Sequence, residues 1–163
     1  MDATHPFPHL NNLSFGLIVK LMDIENEDIH RYGLVRIPRS LPRFIEVSPS
    51  LLVPIESLVS YNIKEIFPGY KLMKSAAFRV TRNADIAIEE EEADDFMELL
   101  EAGIRSRRRG ELVRLELGKR TDDDLYDFIN AHTNVDDDDV YHSTILLNLS
   151  GLWEIVGSND LAH

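Results

Sequence analysis

Apolar and polar positions change period several times along the chain. Ser14 to Met22 alternates, with Phe15, Leu17, Val19 and Leu21 on one side, while Ile18 and Met22 suggest a second, partly covered side, so the stretch predicts a strand. The polar run from Asp23 to His30 follows neither period and reads as a loop. Tyr32 to Ile37 predicts a second strand, antiparallel to the first because the loop is too short for a helical crossover. Pro38 and Pro42 favour extended or turn geometry, and Phe44 to Val47 reads as a short strand. Pro54 suits a helix start, and Ile55, Leu58, Val59, Asn62, Ile63 and Ile66 recur at three- and four-residue steps, predicting about three helical turns.

Tyr70 to Arg82 predicts one or two strands, with Phe78 and Val80 on one face and Arg79 and Thr81 on the other. A turn at 83–85 and a return strand at 86–88 precede a helix from Glu90 to Arg109, buried along Phe96, Leu99, Leu100 and Ile104. That helix begins with carboxylates and ends with Arg105, Arg107, Arg108 and Arg109, the polarity its macrodipole favours, and Gly110 suits its stop. Leu112 to Leu117 alternates, predicting Val113, Leu115 and Leu117 inward. Thr121 and Asp124 have capping-box spacing before a helix with Leu125, Phe128 and Ile129 on its apolar face. An acidic turn at Asp136 to Asp139 leads into a short strand, and Leu152, Trp153 and Val156 mark a last helix. The sum predicts an α+β fold, a two-layer domain of short, mostly antiparallel strands with three to four helices packed on them.

The 163 residues fit a single domain spanning 1–163, with no flexible linker and no internal repeat. No apolar run approaches the roughly 20 residues of a transmembrane segment, and no leader pattern opens the chain, so a cytoplasmic location is expected. The formal charge of -12 is unevenly placed: residues 1–88 carry 10 basic and 9 acidic side chains, and residues 89–163 carry 7 and 20. This acidity argues against a nucleic-acid partner, because phosphate neutralisation needs Lys and Arg.

With no cysteine, thiol chemistry and the usual structural zinc sites are excluded. None of the six histidines forms a helical pair of metal-ligating spacing, and the acidic runs lack the pattern of a calcium loop, so no metal site is expected. Glycine-rich phosphate loops are likewise missing, and no catalytic residue stands out among 29 carboxylates. Arginines are the feature with functional promise. Arg36, Arg39 and Arg43 flank a proline-containing extended segment, and Arg79 and Arg82 lie on one predicted strand region. Their guanidinium forks suit an anionic ligand if the strands are neighbours. The competing reading pairs them with surrounding acids on a wet surface.

Seven ordered stretches carry a further signal: THPFPHLNNLS, LVRIPRSLPRF, LVPIESLVSYNIKEIFPG, FRVTRNADIAIEEEEADDFMELLE, RSRRRGELVRLEL, DDDDVYH and NLSGLWEIV. In order and wording they resemble the middle, or head, domain of the phosphohistidine type of the polyphosphate kinase family. The resemblance implies a parent enzyme that reversibly transfers the terminal phosphate of ATP to inorganic polyphosphate with Mg, as a phosphoprotein, either cytoplasmic or membrane-associated. It places the phosphorylated histidine and the ATP contacts in flanking N-terminal and C-terminal domains that this sequence does not contain. No catalytic residue and no cofactor therefore carries over to this segment, which is expected to be inactive alone. What it implies here is a homodimer-forming scaffold that frames the polyphosphate tunnel beside the flanking domains of the same chain, with Arg39, Arg43, Arg79 and Arg82 as the residues facing inorganic polyphosphate. A polyanion-binding module and a purely structural interaction domain are the alternatives.

Overall fold

A computed structural model describes residues 7–49, 51–83, 111–119 and 121–156. Its main sheet has five strands. Strand β1 (Phe15–Asp23) pairs antiparallel with β2 (His30–Ile37) on one side and with β5 (Tyr70–Arg82) on the other. Strand β6 (Leu112–Gly118) pairs antiparallel with β5 and parallel with β7 (Val140–Ser143), giving the order β2-β1-β5-β6-β7. The parallel pair needs a crossover, supplied by helix α3 (Asp123–Thr133). Strands β3 (Phe44–Ser48) and β4 (Leu51–Pro54) form a separate hairpin, followed by α1 (Ile55–Tyr61) and α2 (Ile63–Ile66). The chain ends in a 3-10 turn (Leu149–Leu152) and the short helix α4 (Trp153–Val156). This is the α+β architecture that the hydrophobic periods predict.

Strand β1 is central, and its first five residues are all buried because elements pack against both of its faces. On one face Ile18, Phe78, Val80, Leu115 and Leu117 meet Leu125 and Ile129 of α3. On the other, Phe15 packs with Ile37, Ile55 and Leu147, while Leu17, Val19 and Leu21 pack with Ile63 of α2. Each large apolar side chain removed from water in this way contributes roughly 1.5 to 3 kcal/mol.

Pro54 stands at the helix start as expected, as N-cap of α1, and also closes the hairpin opposite Phe44 as the last residue of β4. Three local expectations are corrected by tertiary context. The three-turn helix is broken at Asn62, whose side-chain amide and backbone N–H both donate to the Leu58 carbonyl, at 2.8 and 3.1 Å. Asparagine competes in this way for the helix's own acceptors. Val113 is exposed because a bulge pairs Arg82 with Leu112 and leaves Val113 without a register partner, which turns Leu112 inward instead. The capping box does not form either: Thr121 donates to the Gly118 carbonyl at 2.7 Å, Asp122 is the N-cap, and the Asp124 carboxylate is drawn away by two lysines. The turn at 83–85 extends beyond the described residues, and the return strand at 86–88, the helix at 90–109 and its Gly110 stop lie outside them.

Those lysines tie α3 to the sheet. Lys20 of β1 reaches Asp124 at 2.5 Å, and Lys74 of β5 reaches Asp124 at 3.0 Å and also pairs with Asp122. The hydrogen bond from Lys20, followed by those of Asp122 and Lys74, holds the Asp124 carboxyl well below its ordinary 3.8. Bonding to Asp124 raises Lys20 above 10.5, and bonding to Asp122 and then Asp124 raises Lys74. A depressed carboxyl contributes stability that is present above its unfolded value and lost as pH falls through the folded one; the raised lysines lose theirs as pH climbs through their folded values. Urea midpoints should therefore fall more steeply for the wild-type chain than for Asp124→Asn as pH drops from about 5 toward 2. Parallel curves over that window would contradict the assignment.

Candidate functional site

The arginines singled out by the sequence reach different environments. Arg79 is on β5, in register with Phe15 of β1 and Glu116 of β6. Its guanidinium donates to Glu116 at 2.9 Å, and Arg114 reaches the same carboxylate at 3.3 Å while lying 4.2 Å above the Tyr141 ring. Arg39, just after the proline that ends β2, is exposed and donates to the Asn12 carbonyl at 3.2 Å.

Arg43 is buried, with 5% of its surface exposed. Both terminal nitrogens donate to Glu56 of α1, one at 2.6 Å, and one also donates to the Leu147 carbonyl at 3.1 Å. The guanidinium carbon lies 4.8 Å from the Phe15 ring centre. The Arg43 backbone N–H donates to Glu154 of α4 at 2.6 Å, and the Arg43 stem packs where a side chain at Gly151 would stand. Arg43 thereby joins the β3 entry, α1, the 147 loop and α4. Arg82 donates to the Leu10 carbonyl at 2.6 Å, and its backbone N–H donates to Asn12 Oδ1 at 2.9 Å, anchoring residues 10–12.

Three of these side chains come together: Arg39, Arg43 and Arg79 line one cavity of about 260 Å³, with Asn148, Ser150 and Glu154. Arg82 is not in its lining. A second cavity of about 490 Å³ shares Arg79, Asn148 and Ser150 and adds Arg114 and Tyr141, while a third of about 660 Å³ shares Arg39 and adds Arg36. Arg39 and Arg79 thus each border two of these hollows and Arg114 one, while Arg36, in register with Gly16 and Phe78, belongs to the opposite sheet face from Arg79. The opposing carboxylates are Glu116, bonded to two arginines, and Glu154, bonded to the Arg43 and Phe44 backbone. Such an arrangement can bind anions by charge-assisted hydrogen bonds. Arg114 and Ser150 escaped the sequence reading because nothing in their local pattern shows that β6 and the 150 turn approach Arg79.

Among the described residues no cluster of three His, Asp or Glu side chains could hold a metal ion. His132 stacks on Phe7 with ring centres 4.7 Å apart and donates from Nδ1 to the Phe128 carbonyl, an aromatic packing role. No helix among the described residues is long and apolar enough to cross a membrane.

Fold and site define an α+β module with an arginine-bordered groove. The family model described as "Polyphosphate kinase middle domain" matches residues 1–155, and the chain belongs to that family. A polyphosphate kinase of Campylobacter jejuni subsp. doylei is 56% identical over all 163 residues, which make up 24% of that protein. One from Helicobacter pylori is 35% identical, covering 98% of this chain and 25% of its own length. The chain therefore spans about a quarter of the curated relatives it matches. The crystal structure of polyphosphate kinase from Porphyromonas gingivalis superposes with a TM-score of 0.66, covering 91% of this chain and 21% of that one at 22% identity, and shares the fold.

Proposed function

We propose that this chain is the non-catalytic middle domain of a longer cytoplasmic enzyme that reversibly transfers the ATP terminal phosphate to inorganic polyphosphate. In this reading flanking domains supply ATP and Mg binding and the phosphorylated histidine, and this segment is a dimerisation and tunnel-framing scaffold. The observation that carries its polyanion-facing role is the convergence of Arg39 and Arg79 on one cavity walled by Arg43. Arg39 and Arg79 meet the polyphosphate, the Arg43–Glu56 pair holds the wall in place, and Arg82 fixes the 10–12 segment against which Arg39 rests. A linear polyanion with a charge on every phosphate suits a row of guanidiniums without any need for sequence readout. Dimerisation is supported by exposed apolar side chains near the end of the described chain, with Trp153 at 75% and Val156 at 72% exposure.

Retention on immobilised long-chain polyphosphate tests the first role. Wild type should bind at low salt and elute as salt rises, and Arg39→Ala combined with Arg79→Ala should weaken retention by about tenfold or more. Unchanged retention in the double variant, or none by wild type at low salt, leaves a purely structural domain. Sedimentation showing only monomer at high concentration removes the dimer. The segment by itself should show no ATP-dependent polyphosphate synthesis.

A further inference from the structure

A different cavity, of about 440 Å³, lies between α1 and the sheet, on the other side of the 145–147 loop from the Arg79 and Arg114 hollow. Its origin is legible in β5 and β6. Where β1 presents Leu17 and Val19, their register partners on β5 are Ala77 and Ser75, and β6 ends on Gly118. Small side chains at three neighbouring positions leave space beneath the helix, and the exposed Ile145 and Leu146 show that it opens to solvent.

Its polar lining is specific. Ser57 and Ser60 come from α1, Ser75 from β5 and Thr144 from the loop after β7, with Lys119 immediately after β6. Ser60 and Ser75 hydroxyls lie 2.9 Å apart, so one proton of that pair remains to be donated elsewhere. Lys119 makes no ion pair with any described residue, unlike Lys20, Lys64 and Lys74. The cavity's carboxylate, Glu56, is neutralised by both terminal nitrogens of buried Arg43. What remains is one uncompensated ammonium and a set of hydroxyl donors. Leu17, Ile145, Leu146 and Leu147 supply the apolar part of the lining.

We infer that this cavity binds a small organic phosphate ester, its phosphate on Lys119 and the serine hydroxyls and its organic body against Leu146 and Leu17. A volume of about 440 Å³ falls in the range of small-molecule sites and exceeds what a bare phosphate would fill. The inference does not depend on the polyphosphate reading, because none of the arginines bordering the groove lines this cavity.

Calorimetric titration with adenosine monophosphate, adenosine and inorganic phosphate tests it on the whole chain, with Lys119→Met, Ser60→Ala and Arg79→Ala as variants. Lys119 is exposed, so its replacement leaves the core intact. The expected result is that the monophosphate binds and adenosine does not, with affinity falling about tenfold or more in Lys119→Met, falling in Ser60→Ala, and unchanged in Arg79→Ala. Binding that survives Lys119→Met but is lost in Arg79→Ala puts the phosphate in the arginine groove and overturns this inference while leaving the polyphosphate reading intact. No binding of any of the three probes at millimolar concentration overturns it as well.

Discussion

Replacing Glu56 with alanine is expected to destabilise the chain by about 3 to 5 kcal/mol, because it strands a buried guanidinium without its counter-charge. Arg43 is 5% exposed, and apart from Glu56 its guanidinium has the Leu147 carbonyl as acceptor, with Nε buried and unpartnered. The effect should spread beyond α1, since the same arginine residue ties Glu154 of α4 through its backbone. Urea unfolding measures it. Against a typical total of roughly 5 to 15 kcal/mol, such a loss takes much of the stability of a domain. Replacing both partners together, Arg43→Met with Glu56→Leu, should recover most of the loss, since an apolar pair of similar volume avoids the desolvation of two charges. A Glu56→Ala midpoint within error of wild type would mean that the pair is not buried in solution.

Gly16→Ala is expected to be the other severe change. A Cβ at Gly16 would stand 2.1 Å from the Val35 carbonyl oxygen and 3.0 Å from the Phe78 ring. The first neighbour is backbone of the paired strand β2, and the second is a fully buried ring, so neither yields without moving the β1–β2 ladder. Overpacking of a core typically costs about 1 to 3 kcal/mol, and a backbone collision in a central strand belongs at the upper end. Gly118→Ala is the matched control: its Cβ would meet Ala77 at 3.4 and 3.5 Å, ordinary contact distances. Since alanine also loses less backbone entropy on folding, Gly118→Ala should be neutral or slightly stabilising. Thermal unfolding of the two variants decides the matter, and equal midpoints would refute the close approach at Gly16.

The elements most legible from the sequence were those whose period is set by burial on a fixed face. Strand β1 and the Phe78–Val80 face of β5 emerged within a residue or two of their ends, because alternation maps directly onto sheet faces. Leu125 and Ile129 of α3 were readable for the same reason at helical spacing. Expectations that rested on one side chain's local partner fared differently. Asp124 has capping spacing, yet Lys20 lies 104 residues away in sequence and provides a stronger partner. Val113 fits the alternation, yet a bulge in its pairing with β5 displaces it.

The same division runs through the arginines. That they cluster in sequence around Pro38 and Phe78 was plain, and their chemistry suits anions whatever the fold. Which of them share a hollow depends on β1 separating β2 from β5, on Glu56 lying within reach of Arg43, and on the 148–150 turn returning to Arg79. Hydrophobic period and ordered local wording by themselves determined the α+β class and the family resemblance, because both are properties of short windows. Only the tertiary structure decided that Arg43 is buried and paired while Arg39 and Arg79 border a cavity, because burial and pairing depend on contacts between residues tens of positions apart.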